Sequence, residues 1–290
     1  MSRVLDKIRY SSEARLPEAR YNGDFPYLVF PSFEGLPGIR HLVTTKLGGV
    51  SEGIWESLNL ITDDSDPIEN VQENYRRVAD ALGVDPHSFV LTQQTHTTNI
   101  LKVTREDAGK GLYTDYENFD IDGLVTDVPG ITLCGFYADC VPIIFADPVE
   151  RVVGVAHSGW KGTVGRISQR MIEIMTADYG CSHGDIYAAV GPAIGQECYE
   201  VSEDVILKVN EAFKEEQYPS LYYRKDNGRY QLNLKKAVEL TLLESGVDKE
   251  KLWVSDICTK CNKDIFFSCR GVGGKRGDFG AFISLDPQDA

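Results

Sequence analysis

The chain reads as an α+β fold with mixed β-sheets, packed as a single domain. Three observations predict this. Short β-rich runs recur along all 290 residues and are interleaved with amphipathic helical segments. Several of those runs follow one another through tight turns instead of helices, which argues against a purely parallel sheet. No repeat, low-complexity stretch or linker divides the chain, and its length suffices to bury a substantial core.

Residues 1–26 are charged and poorly patterned, so they read as a peripheral N-terminal arm, with one catalytic domain over 27–290. HLVTT (41–45) is the first expected strand. The clearest helix follows. Asp66 suits its N-cap, Pro67 its first position and Glu69 a capping box. Ile68, Val71, Tyr75, Val78 and Leu82 recur at helical spacing, and Gly83 ends the run. SFVLT (88–92), NILKV (99–103), GITLCGF (130–136), VPIIFA (141–146) and RVVGVA (151–156) are expected strands. A second helix is expected over 163–179, with Val164, Ile167, Met171, Ile174 and Met175 on its apolar side and Gly180 closing it. Two more are expected after Ser202 and Asn233. IYAAVG (186–191), KLWVSDI (251–257) and GAFISL (280–285) complete the strands.

Composition excludes several functions. The apolar share is 42% and the charged share 26%, ordinary for a soluble globular protein. No apolar run is long enough to span a bilayer, and the N-terminus lacks a secretory signal, so a cytoplasmic location without membrane contact is expected. The net charge of −14 repels phosphate backbones, so nucleic acid is not an expected partner. The seven cysteines, an odd number, read as reduced thiols, core residues or metal ligands.

The segment from Ala138 to His157 reads as a β-hairpin turning at Asp147-Pro148. Centred between Pro148 and Val149, that turn sets Cys140 opposite His157 at the open end, with side chains roughly 5 Å apart at Cβ. A slip of one residue would place them on opposite faces. His96, one of only five histidines, lies in the polar stretch LTQQTHTTNI and offers a third ligand. Two histidines and a cysteine with an open fourth position suit catalytic zinc. The same set is also the trigonal core of a blue-copper site. The plain alternative is a small core cysteine beside a hydrogen-bonded histidine.

After His157, Ser158-Gly159-Trp160-Lys161-Gly162-Thr163 feeds the expected helix. Free N–H groups there, the helix dipole and Lys161 would favour an anion such as phosphate; a tight turn with a solvated lysine is the alternative. Cys258-Thr259-Lys260-Cys261 is one CxxC without a second pair, weak grounds for structural zinc, so buried or idle thiols are expected. The basic, glycine-rich 271–277 lacks the order of a Walker loop but could form a lid carrying charge to a phosphate. A flexible loop, 47–51, follows Lys46.

Together, TTKLGGVSEGIWESLNL, QQTHTTNI, ADCVPIIFADP, VGVAHSGWKGT, AAVGPAIGQECYEV and DIFFSCR resemble the laccase-domain, YfiH-like family of purine nucleoside phosphorylases. The resemblance spans about Thr44 to Ile283. It implies a four-layer α/β/β/α fold shared with bacterial toxin deamidases. It implies a metal, usually zinc with copper possible, on His96, Cys140 and His157. It implies phosphorolysis of adenosine, inosine, guanosine and methylthioadenosine, with deamination of adenosine. Phosphate would be held by Ser158, Lys161, Gly162, Thr163, Lys46 and Arg270, and Asp139 would orient a ligand or move a proton. Nucleosides and phosphate are then the expected partners of a monomer or small homo-oligomer. Three other classes compete: a cysteine hydrolase, amidase or peptidoglycan-editing factor using Cys140 and His157; a copper-dependent polyphenol oxidase, for which five histidines allow only a mononuclear site; and a fold in which zinc is merely structural. The chain departs from the family pattern at Lys46, Gly271, Asp278 and Asn233, positions bearing on substrate contacts.

Overall fold

The computed structural model describes residues 4–10, 17–62, 66–115 and 119–287. In chain order, the strands and helices are β1 (Glu18–Asn22), β2 (Phe25–Val29), β3 (Ile39–Thr44), α1 (Ile68–Leu82), β4 (Phe89–Val90), β5 (Ile100–Lys102), β6 (Gly123–Thr126), β7 (Thr132–Tyr137), β8 (Val141–Asp147) and β9 (Val152–Ser158). There follow α2 (Trp160–Val164), α3 (Ile167–Tyr179), β10 (Tyr187–Val190), β11 (Glu200–Val201), α4 (Glu203–Ala212), α5 (Tyr218–Leu221), β12 (Tyr222–Arg224), β13 (Tyr230–Leu232), α6 (Leu234–Glu244), β14 (Leu252–Val254), α7 (Cys269–Val272) and β15 (Phe279–Leu285).

Two six-stranded sheets stack face to face, ordered β1-β2-β3-β15-β7-β4 and β14-β10-β8-β9-β6-β5. Each is mixed: β4 runs parallel to β7, β5 to β6 and β10 to β14, and their other pairings are antiparallel. Strand alternation sorts the apolar residues into three seams. In β15 and β7, Phe282, Cys134 and Phe136 turn outward onto α1. Ala281, Ile283 and Leu133 turn inward, against Ile144, Val153 and Val155 of the second sheet. Ile143, Phe145 and Ala156 turn the other way, onto α3 and α6. These seams make the α/β/β/α layering. β8 and β9 lie in the middle of it and are buried along their whole length, which holds whatever stands at their ends in a rigid frame.

The structure differs locally from the expected elements. α1 takes Pro67, not Asp66, as its N-cap residue; the Asp66 carboxylate accepts instead from Asn59 Nδ2 at 3.0 Å. The helix expected over 163–179 is two, α2 and α3, because Arg166 adopts a left-handed conformation with φ of 59°. The boundary expected at Tyr27 falls inside β2. Upstream, β1 pairs with β2, and Leu5 and Ile8 are buried in the seam between the sheets.

His41 on β3 is 8% exposed, and its Nε2 accepts from the Phe30 N–H at 2.8 Å. Burial drives its pKa from an ordinary 6.5 down to about 4. The folded protein therefore keeps His41 neutral where the unfolded chain protonates. Its contribution is intact above about pH 6.5 and is lost as pH falls toward 4, by about 3 kcal/mol. A His41→Gln variant is expected to lose that part of the wild-type acid destabilisation when urea midpoints are compared at pH 7 and 4.5. Parallel losses in both proteins would refute the assignment.

Candidate metal centre

His157 stands near the end of β9, continuing the inward row of Val153 and Val155. The β8–β9 register pairs it with Pro142 and not with Cys140. The hairpin turn is centred one residue later than expected: Asp147 pairs with Val152 across a loop at 148–151. Asp147 Oδ1 accepts from the Val149 and Glu150 N–H groups, and Arg151 closes the loop with φ of 55°. Moving the turn by one residue shifts the pairing by two. An even shift preserves side-chain parity, so Cys140 stays on the face of His157, diagonal to it.

His96 comes from the loop after β4, and it has φ of 68°. One carboxylate holds this loop and the His157 ring together. Asp122 Oδ1 lies 2.8 Å from His157 Nδ1 and accepts from the His96 N–H at 3.0 Å. Its Oδ2 accepts from the Thr97 N–H at 2.6 Å and the Thr97 hydroxyl at 2.8 Å. Asp122 directly precedes β6, whose register with β9 brings it beside His157; the His157 N–H also donates to the Asp122 carbonyl at 2.7 Å. Gln94 pins the loop to the other sheet by exchanging two hydrogen bonds with the main chain of Phe136, at 2.9 and 2.8 Å.

Ligand atoms of His96, Cys140 and His157 lie within 4.8 Å of one another. Cys140 Sγ is 3.7 Å from His96 Nε2, and the two imidazoles meet edge to face at 4.9 Å between centroids. Gly159 is needed here: a Cβ on it would sit 2.7 Å from His96 Cδ2 and 3.0 Å from Cys140 Sγ. Burial opposes ionisation of Cys140, but the charge and hydrogen bonding of His157, then His96, prevail and lower the thiol's pKa. Burial likewise opposes the His157 cation, which the Cys140 thiolate and Asp122 raise well above the imidazole range. Asp122 is itself pushed up by burial, yet His157 and Thr97 hold it below the usual carboxylate range. The three groups form a chain of thiol, imidazole and carboxylate. With His157 Nδ1 engaged by Asp122, its Nε2 is left for the cluster, and two imidazole nitrogens with one thiolate fit a borderline metal such as zinc.

Asp139, next to Cys140, is 6% exposed with φ of 98°. Its Oδ1 accepts from Thr259 Oγ1 and Ser268 Oγ, both at 2.6 Å, and its Oδ2 from the Arg270 N–H at 2.6 Å. It ties the C-terminal loops to the turn that presents Cys140.

The cluster opens into a cavity of about 350 Å³ lined also by Ile61, Thr62, Thr92, Gln93, Gln94, Thr95, Phe136, Ala138, Arg276 and Asp278. None of the six residues expected to hold phosphate is in that lining. Ser158 and Thr163 are buried and bond each other's hydroxyls at 2.9 Å. Gly162 is buried in α2. Lys161 is exposed, 6.0 Å over the Trp160 ring, in a separate surface depression. Lys46 carries main-chain hydrogen bonds with Ile265, Ser57 and Leu58. Arg270 donates to the Glu200 carbonyl at 3.0 Å and lies 5.1 Å over Tyr199. The guanidinium in the cavity wall is Arg276, whose buried Nε has no hydrogen-bond partner. Asp122 and Gln94 were not among the expected site residues, whereas Arg276 lies in the basic 271–277 stretch expected to carry charge to a phosphate. An aspartate beside a histidine-bearing strand is the usual support of a ligating imidazole, but β6 is only four residues long and carries little pattern in the sequence.

Fold and site together define a single-body α/β/β/α protein with a thiolate–bis-imidazole centre at the rim between its sheets. Residues 40–286 match the family model described as multi-copper polyphenol oxidoreductase laccase, and the chain belongs to that family. It is 38% identical over 243 residues to the purine nucleoside phosphorylase YlmD of Bacillus subtilis, covering 83% of this chain and 87% of that one. Among solved structures it resembles the hypothetical protein YfiH of Bacillus licheniformis, with TM-score 0.86, 37% identity, and coverage of 92% of this chain and 99% of that one. YlmD of Geobacillus stearothermophilus matches at TM-score 0.83 and 35% identity, covering 92% and 98%.

Asp122→Asn keeps the shape of the side chain but removes its charge and half its acceptors. Zinc affinity, measured against a competing chelator, is expected to fall about 10- to 100-fold. Unchanged affinity would remove Asp122 from the centre. Gly159→Ala is expected to weaken zinc binding with little loss of thermal stability, because the added methyl group strikes His96 and Cys140 and not the core.

Proposed function

We propose that this chain is a zinc-dependent purine nucleoside phosphorylase that also deaminates adenosine. The reading is carried by the His96–Cys140–His157 cluster in the wall of a cavity whose size falls in the roughly 300–1,000 Å³ range of small-molecule sites. The substrate class comes from relatives named purine nucleoside phosphorylase. Zinc is favoured over copper by the surroundings. A blue-copper centre adds a weak axial methionine or amide oxygen. No methionine lines this cavity, so a blue-copper centre would lack its commonest axial ligand.

When bound, zinc supplies Lewis-acid polarisation of an oxygen on the reactant or of water. Asp122 keeps the His157 ring in one tautomer and orientation. Phe136 and Ile61 offer apolar surface to a purine, and Thr92, Gln93 and Thr95 offer polar groups around it. Arg276 in the cavity wall supplies the cation that a phosphate dianion needs. In phosphorolysis a phosphate oxygen bonds to ribose C1′ as the C1′–N9 bond breaks. The electron pair leaves with the purine, which takes up a proton. In deamination, water replaces the C6 amine, which leaves as ammonia.

The test follows adenine, ribose-1-phosphate and inosine by chromatography, with adenosine and phosphate present and each omitted in turn. Phosphate-dependent adenine is expected from zinc-loaded protein. Cys140→Ala and His157→Ala are expected to lose at least about 100-fold together with zinc, which is about 2.7 kcal/mol of transition-state stabilisation. Arg276→Gln is expected to raise the KM for phosphate about tenfold at unchanged zinc content, about 1.4 kcal/mol. Nucleosides surviving intact in the presence of zinc-loaded protein would end this reading.

One observation favours a second reading. Cys140, His157 and Asp122 form a chain of thiol, imidazole and carboxylate of the kind cysteine hydrolases use. Activity on amides that survives zinc removal and is abolished by thiol alkylation would select it.

A further inference from the structure

The CxxC at Cys258 and Cys261, unpaired in the sequence, acquires a third cysteine in the fold. Cys198 Sγ lies 3.5 Å from Cys261 Sγ, and the three sulfurs of Cys198, Cys258 and Cys261 lie within 4.8 Å of one another. Sulfurs sharing one metal at about 2.3 Å each stand about 3.8–4.0 Å apart in tetrahedral or trigonal geometry. The Gly195 N–H donates to Cys258 Sγ at 3.1 Å, a contact that suits a sulfur carrying negative charge. A Cβ on Gly195 would crowd Cys258, at 3.2 Å from its Cβ and 3.3 Å from its sulfur. We propose that Cys198, Cys258 and Cys261 form a second, all-thiolate metal site for a thiophilic d10 ion, zinc or cuprous copper. Soft sulfur donors select these ions over magnesium or calcium. Cys258 is buried while Cys261 is exposed, so the ion has a protein-side anchor and a solvent-side entry. Solvent supplies any fourth ligand to zinc, and cuprous copper is satisfied by three sulfurs.

Burial pushes the Cys198 and Cys261 thiols up, so each enters the site as a thiol and gives its proton to solvent on coordination. The bound ion would clamp segments that already converge on Asp139. Ile194, next to Gly195, donates its N–H to the Asp139 carbonyl at 2.9 Å. Thr259, next to Cys258, donates its hydroxyl to the Asp139 carboxylate. The N-terminal segment docks on the same turn, through two hydrogen bonds between Arg9 and the Asn262 side chain, at 2.7 and 3.0 Å. A metal here would brace the turn that presents Cys140 without touching the cavity.

The test uses the full chain, stripped of metal under reductant and titrated without oxygen, with cobalt as a spectroscopic stand-in for zinc and separately with cuprous copper delivered from a competing chelator. Wild type is expected to bind two ions per chain. Cys140→Ser should keep one, with an intense thiolate-to-cobalt charge-transfer band. Cys261→Ser and Cys198→Ser should also keep one, with most of that band gone, while retaining wild-type circular dichroism. A single equivalent in wild type, vanishing in Cys140→Ser and unchanged in Cys261→Ser, would overturn the proposal. So would a disulfide between Cys198 and Cys261 that persists under reductant in mass spectra.

Discussion

Everything at the centre depends on the Asp122 carboxylate. It sits in the frame of the second sheet, in register with β9, and its two oxygens receive groups from both directions: the His157 ring from the strand, and the main chain of His96 and Thr97 from the loop. A buried carboxylate is costly unless it is fully hydrogen-bonded. Here the partners that satisfy it are the ones that must be placed. The desolvation of Asp122 thus becomes a force that orders the loop, since any excursion of residues 95–97 leaves a buried charge short of donors. That a loop residue can serve beside a strand residue with matching precision follows from this arrangement.

The same logic explains two strained residues. His96 and Asp139 both have positive φ, at 68° and 98°, although neither is glycine. Such conformations cost about 1–3 kcal/mol each and persist only where surroundings over-determine them. His96 is over-determined by Asp122, and Asp139 by Thr259, Ser268 and the Arg270 N–H. Each distortion points a ligand into the cluster, one directly and one through the adjacent Cys140. Two of the positive-φ residues thus serve the ligands that regular strand geometry does not deliver, His96 itself and, through Asp139, Cys140. His157, the third, arrives on β9 with no such distortion.

What could be read in the sequence follows from how local each feature is. The nine expected strands and the helices after Ser202 and Asn233 all exist, because alternation and capping are written within a few residues. The placement of Cys140 and His157 on one face rested on parity, and parity tolerates the two-residue error in pairing that the longer turn introduced. Asp122 was not legible. Its strand is four residues long, and its partner lies thirty-five positions away. Cys198 was silent for the same reason, being a single cysteine until the fold carries it sixty-three positions to Cys261. The break at Arg166 follows Gly165, the C-cap of α2, a glycine signal that the helical spacing of the apolar residues masked. It leaves α2 a helix of five residues, too short to develop much of a dipole for an anion.

That loss relocates the positive charge any phosphate requires. In a chain of net charge −14, an anion will not dwell in a cavity without a dedicated cation. The Ser158 and Thr163 hydroxyls are spent on each other, and Lys161 faces solvent away from the cavity. Arg276 meets that need, and its neighbour in the lining, Asp278, lies 3.5 Å from its guanidinium. The pair makes the site self-limiting. Under the proposed phosphorolysis, Asp278 would keep the arginine oriented until phosphate competes for it. A glycine-rich stretch before Arg276 then has a physical rationale. It lets a cation from the far end of the chain reach into a cavity whose other walls are fixed by two sheets.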